Sequence, residues 1–91
     1  MLKFNDTGLR KNGITREQVL QALGDTFVID IPELVDSKRN NPRSMWVGKT
    51  YAEQLLEIGI EYLDENEWYI YHADNAQAKY KNAYNNRGKK R

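Results

Sequence analysis

Apolar and polar positions alternate with period two through LLEIGIEYL, Leu55 to Leu63. Leu56, Ile58, Ile60 and Tyr62 share one face, and Glu57, Gly59 and Glu61 share the other, the pattern of a half-buried strand. Asp64, Glu65 and Asn66 supply turn chemistry. Trp68 to Tyr71 is aromatic and β-branched enough to return as the partner strand. The hairpin carries His72, the only histidine in the chain, to an expected strand end just before a helix.

Upstream the period changes. Thr15 and Gln18 have the spacing of a capping box, with Ile14 and Val19 at the positions of a hydrophobic staple. Val19, Leu20, Ala22 and Leu23 give an apolar face and Gly24 a stop, which predicts a helix over Thr15 to Leu23. Before it, Leu2, Phe4 and Leu9 are anchors to the core, Thr7 to Lys11 suits a helical turn, and Gly13 a C-terminal cap. Thr26 to Ile31 is a β-rich run ended, or held at a sheet edge, by Pro32. Asp36 to Arg43 is a basic loop, Ser44 to Lys49 a strand, and Thr50 to Gln54 a turn. Asp74 or Asn75 is positioned to cap a last helix carrying Ala76, Tyr80, Ala83 and Tyr84 at helical spacing. The prediction is an α+β fold: a small four-stranded antiparallel sheet with flanking helices. Residues 1–85 form one domain, and residues 86–91 a basic tail expected to be disordered.

Length and composition narrow the classes. Ninety-one residues with 40% hydrophobic and 11% aromatic content make one modest core. The absence of cysteine excludes disulfides, thiolate metal sites and cysteine nucleophiles. No apolar run approaches the roughly 18 residues of a membrane helix, and MLKFNDTG is too polar for a signal peptide. A cytoplasmic protein with no membrane partner is the expectation. Net charge is only +1, yet every charged residue from Tyr51 to Asp74 is acidic and every one from Lys79 onward is basic. Such a division either presents a basic surface or is simply a solvated acidic hairpin followed by a tail.

Several chemistries fail on spacing. The GKT at Gly48 lacks the glycine that a phosphate-binding loop needs five residues earlier, where Arg43 stands. Gly48 reads better as a strand glycine that allows a close approach or a bulge. One histidine among scattered carboxylates has no metal-ligand spacing, and no cofactor is expected. Glu57 and Glu61 lie four residues apart on a strand, about 13 Å, wider than paired glycosidase carboxylates, and are expected to be a solvated strand face. His72 has two readings. A lone histidine at a strand end is more often a hydrogen-bonded structural residue. With Tyr69, Tyr71 and Tyr80 and cations from other segments, it is also one of the parts needed for RNA cleavage by 2′-hydroxyl attack.

The layout of LRKNGIT (Leu9 to Thr15), a capped helix, a strand, a basic loop, Arg43 leading into MWVGKT, then LLEIGIEYL, IYHA and a closing helix with Tyr84 resembles the BrnT-type toxins. Those are small ribonucleases of the RelE-like superfamily, encoded in bacterial toxin–antitoxin pairs. The resemblance runs from about Phe4 to Tyr84 as pattern more than identity, through short motifs. Lys11 and Gly13 match the family's Lys-His-Gly segment, with Asn12 in place of its histidine. Arg43 matches the arginine ahead of the second strand and Gly48 the glycine within it. Where the family closes its last strand with Ser-Ala-Arg, this chain has His72, Ala73 and Asp74, so an anion replaces an RNA-contacting cation.

The resemblance implies a RelE-like barrel-like sheet with helices on one face, RNA as substrate, an antitoxin as partner and the ribosome as a possible one. The expected catalytic set is His72, Arg43 and Lys11, with Arg10, Lys38, Arg39 and Tyr80 contacting RNA. The alternative is a non-catalytic protein- or RNA-binding module of the same fold.

Overall fold

The computed structural model of the protein describes residues 1–33 and 41–87. The basic-loop residues Lys38 and Arg39, and residues 88–91 of the basic tail, lie outside the described residues. The elements are β1 (Leu2–Phe4), α1 (Asp6–Lys11), α2 (Arg16–Leu23), β2 (Ile29–Pro32), β3 (Arg43–Lys49), β4 (Leu55–Asp64), β5 (Glu67–Asn75) and α3 (Ala78–Asn85). No helix among the described residues is long and apolar enough to cross a membrane.

The sheet has five strands, not four, in the order β1-β5-β4-β3-β2. It is mixed: β2 to β5 form an antiparallel meander, and β1 adds to β5 in parallel. The segment LKF is too short to display a period of two, so its strand state comes from pairing with a segment more than sixty residues away. Met1 O accepts from the Trp68 N–H and Ile70 O from the Asn5 N–H, both at 2.9 Å. The chain then turns into α1. Two side-chain amides reach the strand edge left open there: Asn5 Nδ2 donates to Tyr71 O (3.3 Å) and Asn12 Nδ2 to Ala73 O (3.0 Å). Asn5 also caps α1, accepting from Gly8 N at 3.2 Å. Asn12 thus ties the end of α1 to β5.

The helix signals around α1 and α2 hold, except that Leu20, read as part of the apolar face, is exposed. Thr15 and Gln18 form a reciprocal capping box at the start of α2. Gly13 ends α1 at φ +73°, where only glycine avoids a Cβ penalty, with Gly13 N bonded to Arg10 O and Ile14 N to Leu9 O. Other boundaries move. The second strand begins at Ile29, after a turn at Asp25–Val28 closed by Val28 N on Asp25 O. β5 runs on through Asp74 and Asn75 because they pair with Glu57 and Leu56, so neither caps α3. Gln77 takes the N-cap position of α3 with no side-chain capping bond, and His72 sits inside β5, not at its end.

Helices pack on both faces, not one. On one face α1 and α2 bring Leu9, Ile14, Val19 and Ala22 onto Leu56, Ile58, Ile60, Ile70 and Ala73, with Trp46, Tyr62 and Trp68 beside them. Gly48 permits this approach: a Cβ there would lie 2.1 Å from the carbonyl oxygen of Ala22. On the other face α3 brings Tyr80 and Tyr84 over Met45, Val47, Ile29, Ile31 and Leu55. Strand β3 serves both clusters because Trp46 alternates with Met45 and Val47. The apolar spacing of α3 needs a surface of its own, and the first face is already filled by two helices.

Candidate functional site

Beyond α3 the second face of the sheet carries polar side chains. Glu57, Gly59 and Glu61 of β4 alternate with the core residues. Their pairing partners across the sheet are Val47, Met45 and Arg43 on β3, and Asp74, His72 and Tyr69 on β5. Pairing slips between Gly59 and Ile60, so Tyr71 is an extra residue in β5. This bulge puts two consecutive side chains, Tyr71 and His72, on the same face. The Tyr71 ring lies over Gly59, where a Cβ would come within 2.6 Å of Tyr71 Cζ, and the Arg43 guanidinium sits 4.2 Å from the ring centroid.

Arg43 donates from Nε and Nη2 to Glu61 Oε1 at 3.2 and 3.0 Å, and Asn41 Nδ2 holds the second oxygen of Glu61 at 3.0 Å. The two charged side chains are 25% and 18% exposed, so this pair is shielded from solvent more than a surface ion pair is. The Tyr71 hydroxyl donates to Glu33 Oε2 at 3.4 Å.

Glu57 is 2% exposed. Its Oε1 accepts from the main-chain N–H of Gln77 (2.8 Å), and its Oε2 from Gln77 Nε2 (3.1 Å) and His72 Nε2 (2.9 Å). A buried carboxylate needs such donors, and these are supplied by the residue just before α3. The expectation of a solvated glutamate face therefore fails at both positions. Glu57 is enclosed by the approach of α3, and Glu61 is half-buried under Arg43. The His72 side chain remains 33% exposed.

Of the sequence-derived site residues, Arg43 and His72 share this face, each beside Tyr71: the Arg43 guanidinium lies 4.2 Å from the Tyr71 ring centroid and the His72 ring centroid 6.5 Å from it. Tyr80 lies on the neighbouring α3, half-buried, with Lys79 Nζ 4.9 Å from its ring centroid. Lys11 and Arg10 are exposed on α1, the helix packed against the other face, and have no bond to Arg43 or His72. Sequence reasoning missed Glu57, Gln77 and Glu61 as partners of the histidine and the arginine. The available signal was the spacing of Ala76, Tyr80 and Tyr84, which demands an apolar landing surface on the glutamate side.

A second polar cluster fixes the far side of α3. The Tyr84 hydroxyl donates to Asp25 Oδ2 at 2.6 Å, Lys49 N to the same oxygen at 2.8 Å, and Phe27 N to Oδ1 at 3.0 Å. Arg87 stacks on the rings of Tyr84 and Phe27. Burial pushes the Asp25 carboxyl up, but the hydrogen bonds from Tyr84, Phe27 and Lys49 and the charge of Arg87 hold it below the usual aspartate value. Burial, the bond to Asp25 and its negative charge push the Tyr84 phenol up to about 12, against the opposite pull of Arg87.

Comparison with known protein families and with characterised proteins finds no match to this sequence.

Proposed function

We propose that the protein is a toxin-like ribonuclease that cleaves RNA by attack of a 2′-hydroxyl without a metal. His72 is the proton acceptor and Arg43 the phosphate contact. The observation that carries this reading is the bond between His72 and buried Glu57: a solvent-reaching imidazole backed by an enclosed carboxylate is the arrangement of an oriented general base. In the reaction the 2′-hydroxyl gives its proton to His72, the O2′–P bond forms, the P–O5′ bond breaks and O5′ regains a proton from solvent. The products end in a 2′,3′-cyclic phosphate and a 5′-hydroxyl. Arg43 meets the charge on the phosphoryl oxygens, as an arginine fork suits. Tyr69 and Tyr80 on the same face offer rings for unpaired bases, while Lys11 and Arg10, on the α1 side, contact the RNA backbone away from the scissile group. The resemblance to BrnT-type toxins supports the same substrate and adds an antitoxin partner that covers the sheet face.

One observation favours a second reading. Arg43 is held by Glu61, and Glu33 and Asp74 add carboxylates to the same face. A surface of carboxylates and tyrosines suits a basic protein segment better than a polyanion, which makes the chain a non-catalytic binding module. Fluorescence anisotropy with a labelled single-stranded RNA and with a labelled Lys/Arg-rich peptide, the RNA then being resolved for fragments, separates the two. RNA binding lost in Arg43→Ala, together with fragments ending in a 2′,3′-cyclic phosphate, supports the ribonuclease, and binding of either probe without cleavage supports the module.

A further inference from the structure

The three bonds to Glu57 have a consequence for which nitrogen of His72 carries the proton. Glu57 Oε2 is an acceptor, so the imidazole bonded to it presents Nε2–H. The other ring nitrogen, Nδ1, has no partner among the described residues. No buried side-chain nitrogen or oxygen there lacks one, so Nδ1 reaches solvent. The main-chain N–H of Gln77 is a donor that cannot be reassigned, and it pins Oε1; Gln77 Nε2 shares Oε2 with the histidine.

We propose that Glu57, clamped by Gln77, is a positioning residue that fixes His72 as the Nε2–H tautomer and so turns the Nδ1 lone pair outward as the proton acceptor. This inference rests on the reading of His72 as the base. When Nδ1 takes the 2′-hydroxyl proton the ring becomes an imidazolium, and Glu57 supplies the opposite charge 2.9 Å from Nε2. The first residue ahead of α3 thus sets the chemistry of a strand residue: Gln77 holds the carboxylate, and the carboxylate holds the ring.

The isosteric variant Glu57→Gln tests this. The Gln77 N–H forces the new amide to keep its oxygen at the Oε1 place, which puts an NH₂ group where Oε2 was. His72 Nε2 must then accept, and its proton moves to Nδ1. Because the chain has a single histidine, two-bond ¹H–¹⁵N spectra in alkaline buffer read the tautomer without assignment. The wild type is expected to show Nε2–H and Glu57→Gln to show Nδ1–H. Gln77→Ala, which leaves the carboxylate in place, is expected to retain Nε2–H.

RNA cleavage by a folded Glu57→Gln protein is expected to fall by about 10²–10⁴-fold, the usual worth of a positioned base. A wild-type ring with its proton on Nδ1 overturns the proposal. So does a folded Glu57→Gln protein that keeps Nε2–H. The tautomer is read without RNA, so a wild type that cuts no RNA counts against the ribonuclease reading, while the spectra still decide the role of Glu57.

Discussion

Tyr71 lies across Gly59 so closely that a single methyl group on the glycine would come within 2.6 Å of the phenol ring. The same ring carries the Arg43 guanidinium at 4.2 Å from its centroid, and His72 is the next residue along the bulged strand. Gly59→Ala should therefore displace Tyr71 and separate the two site residues. The expected cost is about 1–3 kcal/mol, read as a fall in the urea midpoint, together with a loss of RNA cleavage. An unchanged midpoint and rate would show that the ring moves freely and positions nothing.

Gly48 makes the same argument for the fold. The clash there is with a main-chain carbonyl at 2.1 Å, which has no rotamer by which to escape. Gly48→Ala is expected to cost more than Gly59→Ala, about 3 kcal/mol or more, because α2 as a whole must lift from β3. Thermal unfolding of the two variants side by side checks the ranking.

The Asp25–Tyr84 pair predicts losses of stability at both ends of the pH range. Asp25 has a depressed carboxyl in the folded protein, so its contribution is complete above the ordinary aspartate value. It is lost as pH falls through the folded one. Tyr84 is the opposite case. Its contribution is complete below pH 10 and is lost as pH rises through about 12, an effect of about 3 kcal/mol. Absorbance at 295 nm should show one of the six tyrosines ionising late, together with unfolding, and Tyr84→Phe should remove that component.

Glu61 holds the guanidinium of Arg43, and on the ribonuclease reading it competes with the RNA phosphate for it. Glu61→Gln should release the guanidinium and tighten single-stranded RNA binding several-fold. Arg43→Ala should weaken binding and lower the salt slope by about 0.7. RNA binding unchanged in both variants, measured by anisotropy between 50 and 200 mM salt, would remove Arg43 from the RNA interface.

Much of this fold was legible in single stretches. The capping box at Thr15–Gln18, the αL glycine at Gly13, the close approach at Gly48 and the alternation from Leu55 to Tyr62 are all local patterns, and each is realised. What failed to show depends on partners distant in sequence. The strand at Leu2–Phe4 exists because β5 offers an edge, and Glu57 is buried because α3 needs the Met45–Val47 surface beside it. His72 and Arg43 were legible as chemistry, one the sole histidine and the other the cation ahead of a strand. Their carboxylate partners were not, because period two says which residues share a face but not what covers it.

The central claim concerns His72, and RNA cleavage tests it most directly. Labelled single-stranded RNA would be incubated with wild type and with His72→Ala, in EDTA, with and without translating ribosomes, after melting curves show both proteins folded. Wild type is expected to give fragments ending in a 2′,3′-cyclic phosphate, and His72→Ala none. No cleavage by folded wild type under any of these conditions, or equal cleavage by the variant, would contradict it.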